Sequence, residues 1–293
     1  MAKRKLGLSL IVLIVAATTM VSGTYAWFLV GGFAELFDLG FDVIEADGGI
    51  EVQGSAGKAY ATTDEGATAV EWGAYLRRDC FADGELIAEG GKYSPVSSAN
   101  GSAFTKVGLE GGYFASLTPA KGADYNEMTI KIRSTTTETV DGRINISLTG
   151  RDGDNAAVDA ARVSVTYNGT TTIFAKGTDA TYAVTTNEIP MATVMDNNNN
   201  SIIDSDETKG VVTLSAQTTT ELTASAADAN KFEATMALPG IAGNGGGTGT
   251  GSEIVVRVWI EGNDADCTGE KLSAKHLSTK ITFGSSAEET PAE

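Results

Sequence analysis

An Asn- and Asp-rich stretch in the second half of the chain has the residue types and spacing of a calcium-binding loop. It runs from Asp196 to Glu207 and reads DNNNNSIIDSDE. In the calcium-loop template, oxygen ligands stand at positions 1, 3, 5, 7, 9 and 12, and position 7 supplies a backbone carbonyl. The residues at these positions are Asp196, Asn198, Asn200, Ile202, Asp204 and Glu207. Oxygen ligands at alternate positions curl around one hard cation, so the stretch predicts a structural Ca²⁺ site.

Two features of this loop predict modest affinity, of the kind that suits extracellular calcium. Ser201 stands where glycine normally permits the sharp turn, and only Asp196, Asp204 and Glu207 bring charged ligands. No amphipathic helix flanks the loop, which favours a structural role over a sensing one. The competing interpretation is a solvated Asn/Asp loop between two strands.

Two cysteines, Cys80 and Cys267, are the other residues whose chemistry could shape the fold. In an exported chain, two cysteines usually form one bridge, which here would tie an early segment to the end of the domain. Two separate buried thiols are the alternative. A catalytic cysteine acting with His276, the single histidine, has no supporting motif.

The composition argues against several classes of function. Zinc hydrolases normally use two or three histidines, and this chain has one. Its 21 Lys and Arg against 38 Asp and Glu give a net charge of −17, which disfavours nucleic-acid binding because phosphates are neutralised by clustered cations. We therefore expect no catalytic residue and no organic cofactor. An acidic surface suits a solvated extracellular protein or one that recruits cations.

The N-terminus has the three parts of a secretory signal peptide. Lys3, Arg4 and Lys5 form the positive region, and Leu6–Val21 is an apolar run, too short to be a confident membrane span. Thr24 and Ala26 fit the small-residue positions of a signal peptidase site, so we expect cleavage after Ala26 and a secreted or cell-surface product. The alternative is an uncleaved signal anchor.

Cleavage would leave a mature N-terminus that is unusually apolar. Its sequence begins WFLVGGFAELFDLGF. Such residues need burial, either within their own domain as a first strand or helix, or on a neighbouring subunit as a donated strand. The residues expected to form this assembly arm are Trp27, Phe28, Leu29, Val30, Phe33, Leu36 and Phe37.

Alternating apolar and polar residues predict half-buried strands in six places. The apolar face of each run is read directly from the sequence. These faces are Met128, Ile130 and Ile132; Ile144, Ile146 and Leu148; Val163, Val165 and Tyr167; Phe232, Ala234, Met236 and Leu238; Ile254, Val256, Val258 and Ile260; and Leu277, Thr279, Ile281 and Phe283.

Turn signals separate these runs at Asp141-Gly142, Asp152-Gly153 and Asn168-Gly169. The mature chain has no sustained helical pattern, apart from a short helix that residues 33–41 could form. The sequence therefore predicts an all-β protein, an antiparallel, jelly-roll-like sandwich with long loops, preceded by the signal helix. The expected organisation is a signal peptide over 1–26, a hydrophobic arm over 27–47, a β-sandwich over 48–284 and a polar, disordered tail over 285–293.

Several stretches together resemble the camelysin/TasA family of bacterial surface proteins. The leader ends in GTYAWF and is followed by FDVIEADGGIEVQGS at residues 41–55. The block YSPVSSANGSAF occupies residues 93–104, and VRVWIEGNDADC at 256–267 precedes LSTKITF. The likeness covers the leader and about thirty residues after it, the middle block and roughly the last forty residues, and the centre between about 120 and 250 has no counterpart.

The resemblance implies a jelly-roll-like fold and assembly into extracellular biofilm fibres. In such fibres the mature N-terminal segment of one subunit adds a strand to the next, and this segment would be Trp27 to about Phe41 here. The implied partners are further copies of the chain, joined head to tail, a signal peptidase and other matrix components. The protease activity for which camelysin was named is not carried over, because this chain has no zinc-binding cluster.

The leading functional hypothesis is thus a secreted structural protein, a subunit of an extracellular fibre or biofilm matrix stabilised by calcium. The alternative is a monomeric calcium-binding surface adhesin or binding module, whose N-terminal segment would be tucked into its own sheet.

Overall fold

The long alternating runs form long strands because they can bury one face and leave the other exposed. The computed structural model describes residues 36–37, 39–41, 44–88, 91–110, 113–150, 155–176, 189–194, 208–214, 217–262 and 277–285, with single positions 264, 267 and 272. Most of these residues lie in strands, so the all-β class predicted from the sequence is confirmed. The predicted signal peptide, residues 1–26, lies outside the described residues.

Along the described part of the chain the first strands are short and most of the later ones are longer. In chain order they are β1 (Leu36–Phe37), β2 (Leu39–Phe41), β3 (Ile44–Ala46), β4 (Ile50–Gly54), β5 (Ala59–Tyr60), β6 (Ala69–Val70), β7 (Tyr75–Leu76), β8 (Lys92–Tyr93), β9 (Lys106–Glu110), β10 (Tyr113–Leu117), β11 (Asn126–Ser134), β12 (Val140–Gly150), β13 (Ala161–Tyr167), β14 (Thr170–Lys176), β15 (Ile189–Val194), β16 (Thr208–Leu214), β17 (Thr220–Ala224), β18 (Lys231–Ile241), β19 (Ser252–Ile260) and β20 (Leu277–Ser285).

The helical elements of the described residues are short. Helix α1 spans Ala156–Ala160, and single 3₁₀ turns cover Arg78–Cys80 and Gly245–Gly247. Among the described residues no helix has the length and apolar character needed to cross a membrane.

Fourteen strands belong to one large mixed sheet. The hydrogen-bonded order is β4, β11, β19, β13, β14, β17, β18, β12, β20, β3, β7, β5, β6, and β2 also pairs with β20. The pairs are antiparallel except β14–β17, β2–β20 and β20–β3, which are parallel. Three two-stranded pairs stand apart from this sheet, namely β1–β8, β9–β10 and β15–β16.

The two distant parts of this sheet meet near β4. Val52 in β4 exchanges backbone hydrogen bonds with Gly73, just before β7, at N···O distances of 2.8 and 3.1 Å. Alanine at position 73 would place its Cβ 2.3 Å from the Tyr60 carbonyl oxygen, so only glycine allows this approach. The strand order therefore turns back on itself around an apolar interior.

All six predicted apolar faces point into the interior. The central residues, such as Ile130, Ile146 and Val256, are fully buried, while Ala234 and Met236 on β18 are partly buried against the same cluster. A smaller cluster lies on the other side of β19, where Trp259 packs with Val96 and Ile173. The alternation read from the sequence is confirmed.

The turn predictions had mixed outcomes. Asn168-Gly169 joins β13 to β14 with positive φ values of 49° and 75°, as predicted. Asp141-Gly142 was wrong as a turn, since it lies inside β12 at a bulge. A Cβ at Gly142 would lie 2.9 Å from the backbone carbonyl oxygen of Gly284 and 2.4 Å from Cδ1 of Ile241, so glycine favours the close packing seen there. Asp152-Gly153 lies outside the described residues.

The short helix predicted near residues 33–41 is wrong for the described part of that segment, which forms β1 and β2. Both strands pair with other strands of the same chain, whereas a helix this short is marginally stable without tertiary packing. The predicted tail lies outside the described residues, apart from Ser285, which is the last residue of β20.

Candidate functional site

The predicted calcium loop falls between two paired strands in the sequence. β15 and β16 run antiparallel, with Ile189 opposite Leu214 and Val194 opposite Thr208. The predicted ligands between them, Asp196, Asn198, Asn200, Ile202, Asp204 and Glu207, lie outside the described residues. Within the described residues, no group of three or more His, Cys, Asp or Glu side chains is arranged to hold a metal ion.

The two cysteines are buried free thiols, and the bridge expected between them is not formed. Cys80 lies in a 3₁₀ turn packed against β4, where a Cβ on Gly54 would come within 2.9 Å of the Cys80 Cβ. The Cys267 amide donates to the Asp264 carbonyl oxygen at 3.0 Å, in a polar cluster beyond β19. Burial raises the pKa of both thiols, most strongly at Cys267, where Asp264 and Glu261 add to the effect. Each thiol is therefore held neutral in surroundings of its own.

The end of the predicted assembly arm pairs with its own chain. Leu36 and Phe37 lie opposite Tyr93 and Lys92 of β8. The next strand, β2, runs parallel to β20. The other predicted arm residues, Trp27, Phe28, Leu29, Val30 and Phe33, lie outside the described residues.

At β20, two of the first described strands, β2 and β3, meet the last described strand. On one flank it pairs along nearly its whole length with β12. On the other flank β2 pairs beside Leu277–Thr279 and β3 beside Thr282 and Phe283. On the exposed face of this seam, Lys280 of β20 forms an ion pair with Glu45 of β3 at 3.0 Å.

A polar groove of about 650 Å³ lies next to this seam, on the outer face of β12, β18 and β20. The inner face of β12 carries the core residues, so alternation turns Arg143, Asn145 and Ser147 outward into the groove. Thr235 donates a hydrogen bond to Oδ1 of Asn145 at 2.6 Å, and the Asn145 amide reaches Oγ1 of Thr282 at 3.4 Å. The floor of the groove is thus a cross-strand row of amide and hydroxyl groups.

The charges in this groove contrast with those of the whole chain. Arg143, Lys231 and Lys280 line it together with one carboxylate, Glu233, an excess of positive charge in a chain of net charge −17. Lys231 pairs with Glu233 at 2.8 Å, but both side chains are well exposed. Exposed ion pairs such as this one and Lys280–Glu45 contribute little and can exchange partners.

A second polar cluster, which the sequence did not predict, is buried next to the first residues of β13. The Arg162 guanidinium donates to Asp264 at 2.5 Å, and both side chains are completely buried. Arg162 Nε also donates to Gln217 Oε1 at 2.9 Å. Removal of two charges from water is costly, so such a pair needs the full set of hydrogen bonds that it receives in this cluster.

Glu261 extends this cluster towards the middle block of the chain. Its Oε2 accepts hydrogen bonds from Trp259 Nε1 at 3.1 Å, Gln217 Nε2 at 2.9 Å and the Ser98 amide at 3.3 Å. The backbone of Val96 bonds to Ile260 and Gly262 on either side of Glu261. The stretches YSPVSSANGSAF, at residues 93–104, and VRVWIEGNDADC, at residues 256–267, are therefore held together by one polar network.

Two features of the sequence point to this cluster. Arg162 interrupts an otherwise uncharged strand, ARVSVTY, and Asp264 lies in the short polar stretch that follows β19. A lone arginine in such a strand needs a carboxylate partner if its face is covered. The covering segment, residues 93–104, has no strand pattern that would have revealed its position.

Another ion pair, between Arg257 and Glu127, lies on the face of β19 that carries Trp259 and is less deeply buried than Arg162–Asp264. Arg257 Nε donates to Glu127 Oε2 at 2.7 Å, and Lys121 lies 3.2 Å from the other carboxylate oxygen. Burial alone would raise the pKa of Glu127, but hydrogen bonds from Arg257 and Lys121 outweigh it and lower the pKa. The pair links β11 to β19 across this face.

No protein family, curated protein or solved structure with which the chain was compared matches it.

Proposed function

We propose that the protein is a secreted structural subunit of an extracellular fibre or biofilm matrix, assembled by exchange of its N-terminal strand between copies. The observation that supports this most is the seam at β20. There, β2 pairs in parallel with β20, the last strand of the described residues. A neighbour's β2 can make the same backbone bonds in the same register.

The proposed fold is a sandwich of the jelly-roll kind, made from two parts of the mixed sheet. One part holds β4, β11, β19, β13 and β14, and the other runs from β17 through β18, β12 and β20 to β3. The two parts join through the short parallel pair β14–β17 and through the bridge between Val52 and Gly73. Their apolar faces form one cluster, as expected for packed layers.

Exchange of the arm would keep the pairing and change only which copy provides it. In the described structure β1 and β2 pair with β8 and β20 of their own chain. A strand passed to the next copy makes a head-to-tail contact that does not close, and such a contact generates a filament. Burial of the apolar residues that precede β1 would add about 25 cal/mol for each Å² removed from water.

Calcium binding by Asp196–Glu207 is part of the same proposal. The sequence places this loop between β15 and β16, whose ends are brought together by their antiparallel pairing. A bound Ca²⁺ ion would stabilise that hairpin by tying carboxylate and amide oxygens to one centre. The role is structural, with no catalytic step.

Deletion of residues 27–41 from the mature protein tests the assembly route. We expect the variant to keep its β-sheet circular dichroism, because β20 retains β12 and β3, but to form no filaments in electron micrographs. The matched control lacks residues 286–293 and should assemble like the complete mature chain. Filaments formed by the 27–41 deletion would contradict strand donation by this arm.

The pairing of β1 and β2 within one chain also favours the second candidate, a monomeric surface binding module. In that case the N-terminal segment would complete its own sheet permanently. Sedimentation velocity over a range of concentrations separates the two functions. A mature protein that stays monomeric at all concentrations, with and without calcium, would support the binding module and contradict the fibre subunit.

A further inference from the structure

We propose that the groove across β12, β18 and β20 binds an acidic polysaccharide. Arg143, Lys231 and Lys280 would hold its carboxylate groups. The row of Asn145, Thr235 and Thr282 would hold its hydroxyl groups. The proposal goes beyond the fibre subunit, and it does not depend on assembly. It rests on the position of the cations, the polarity of the lining and the open face on which the groove lies.

The cations are distributed along the groove. Arg143 lies opposite Gly284, Lys280 opposite Ser147, and Lys231 opposite Thr149. Because a strand rises about 3.3 Å per residue, the rows that carry Arg143 and Lys231 lie about 20 Å apart along β12. Positive charges at intervals along such a track match a ligand that carries repeated negative charges.

The groups between the cations favour a sugar. Asn145, Thr235 and Thr282 present an amide and two hydroxyls in one row across the three strands, and both groups donate and accept hydrogen bonds. Apart from Ile146 and Ala234, whose side chains belong to the apolar core, the residues that line the groove are polar or charged. This lining gives little support to a lipid or to the apolar face of a helix, which need apolar contact.

The size and charge of the groove agree with this ligand. Its volume of about 650 Å³ lies within the roughly 300–1,000 Å³ that small-molecule sites occupy. The ion pairs already present, Lys231–Glu233 and Lys280–Glu45, are both exposed to solvent. A ligand carboxylate can therefore share these cations without the cost of opening a buried pair. Arg143 presents a planar fork of donors, which suits a carboxylate in particular.

Isothermal titration calorimetry with the mature protein and a galacturonate oligomer tests this site. Binding should weaken as ionic strength rises, because exposed charges are screened. The variant R143Q/K231Q/K280Q should bind at least about tenfold more weakly. The control K131Q changes an exposed lysine on β11, in another part of the sheet, and should bind within about twofold of the unchanged protein.

The methyl-esterified oligomer is the matched ligand, since it keeps the sugar and removes the charge. Loss of binding on esterification supports the proposal. The site is overturned if the unchanged protein does not bind the acidic oligomer, if the triple variant binds it equally well, or if the ester binds as tightly. Preferential binding of polyphosphate in the same assay would overturn the assignment to a sugar.

Discussion

At the residue scale, the pair Arg162–Asp264 is completely buried, and Arg162 also bonds to Gln217. Replacement of Asp264 by Ala would leave a guanidinium without its carboxylate in a completely buried position. We expect the free energy of unfolding to fall by about 3–5 kcal/mol, measured by chemical denaturation. The control Lys58→Ala breaks an exposed pair with Asp79 and should cost a small fraction of that amount. Equal losses in the two variants would contradict the importance of the buried pair.

The calcium loop is the second feature that belongs to single residues. Calcium should raise the melting temperature of the mature protein, because a ligand that binds only the folded state stabilises it. Glu207→Ala should remove this increase by deleting the bidentate ligand at position 12. Asp206→Ala, one position earlier, removes the same charge from a site that is not a ligand and should retain the increase. If calcium shifts the melting temperature of Glu207→Ala as much as that of the unchanged protein, Glu207 is not an essential ligand.

Single residues also mark the limits of sequence-based prediction. The thiols of Cys80 and Cys267 could be paired or separate on the sequence alone, and the structure has both as buried free thiols. The role of Arg162 was not predictable because its side-chain partners Gln217 and Asp264 are distant in sequence. Long-range polar partners leave no periodic signal, whereas core residues do.

At the element scale, the hairpin between β13 and β14 gives a direct test of local backbone chemistry. Gly169 has φ of +75°, which side chains other than glycine rarely adopt. Gly169→Ala should therefore lower the free energy of unfolding by about 1 kcal/mol. Gly66→Ala is the matched control, because Gly66 has no positive φ and its added Cβ would meet nothing within 4 Å. Thermal denaturation that shifts both variants equally would contradict a turn-specific effect.

Long alternating elements were predictable, and short ones were not. β11, β12, β13, β18, β19 and β20 carry enough apolar positions on one face to reveal their period. Strands of two residues, such as β5 and β7, have no period to detect. Asp141-Gly142 had the composition of a turn, but packing against Ile241 and Gly284 kept it inside β12. Tertiary contacts overrode a local preference there.

At the scale of the whole molecule, the sequence predicts the class of fold but not the order of the strands. The sequences of β2 and β17 do not predict that these strands pair in parallel with β20 and β14. The polar groove was likewise not predictable, because Arg143, Lys231 and Lys280 come from three separate strands that only the topology makes neighbours. The uneven distribution of charge, with a cationic groove on an acidic chain, is a property of the assembled sheet.

The part of this topology that matters for the fibre hypothesis is the pairing of β2 with β20. Since β2 pairs with β20 as a parallel strand in the described structure, own-chain and exchanged pairing use the same edge of β20. The alternative of a permanently closed monomer uses that surface as well. The two differ only in whether the strand beside β20 comes from another copy.

Cross-linking of mixed copies measures this difference directly. Gly40 and Ser278 lie opposite each other in the β2–β20 pair, so one preparation carries Gly40→Cys and the other Ser278→Cys, both with Cys80 and Cys267 replaced by Ala. After mixing under assembly conditions and mild oxidation, we expect disulfide-linked dimers that join the two variants at these positions, identified by mass spectrometry. Mixed filaments without such a link, or a mixture that remains monomeric and unlinked, would contradict assembly by strand exchange.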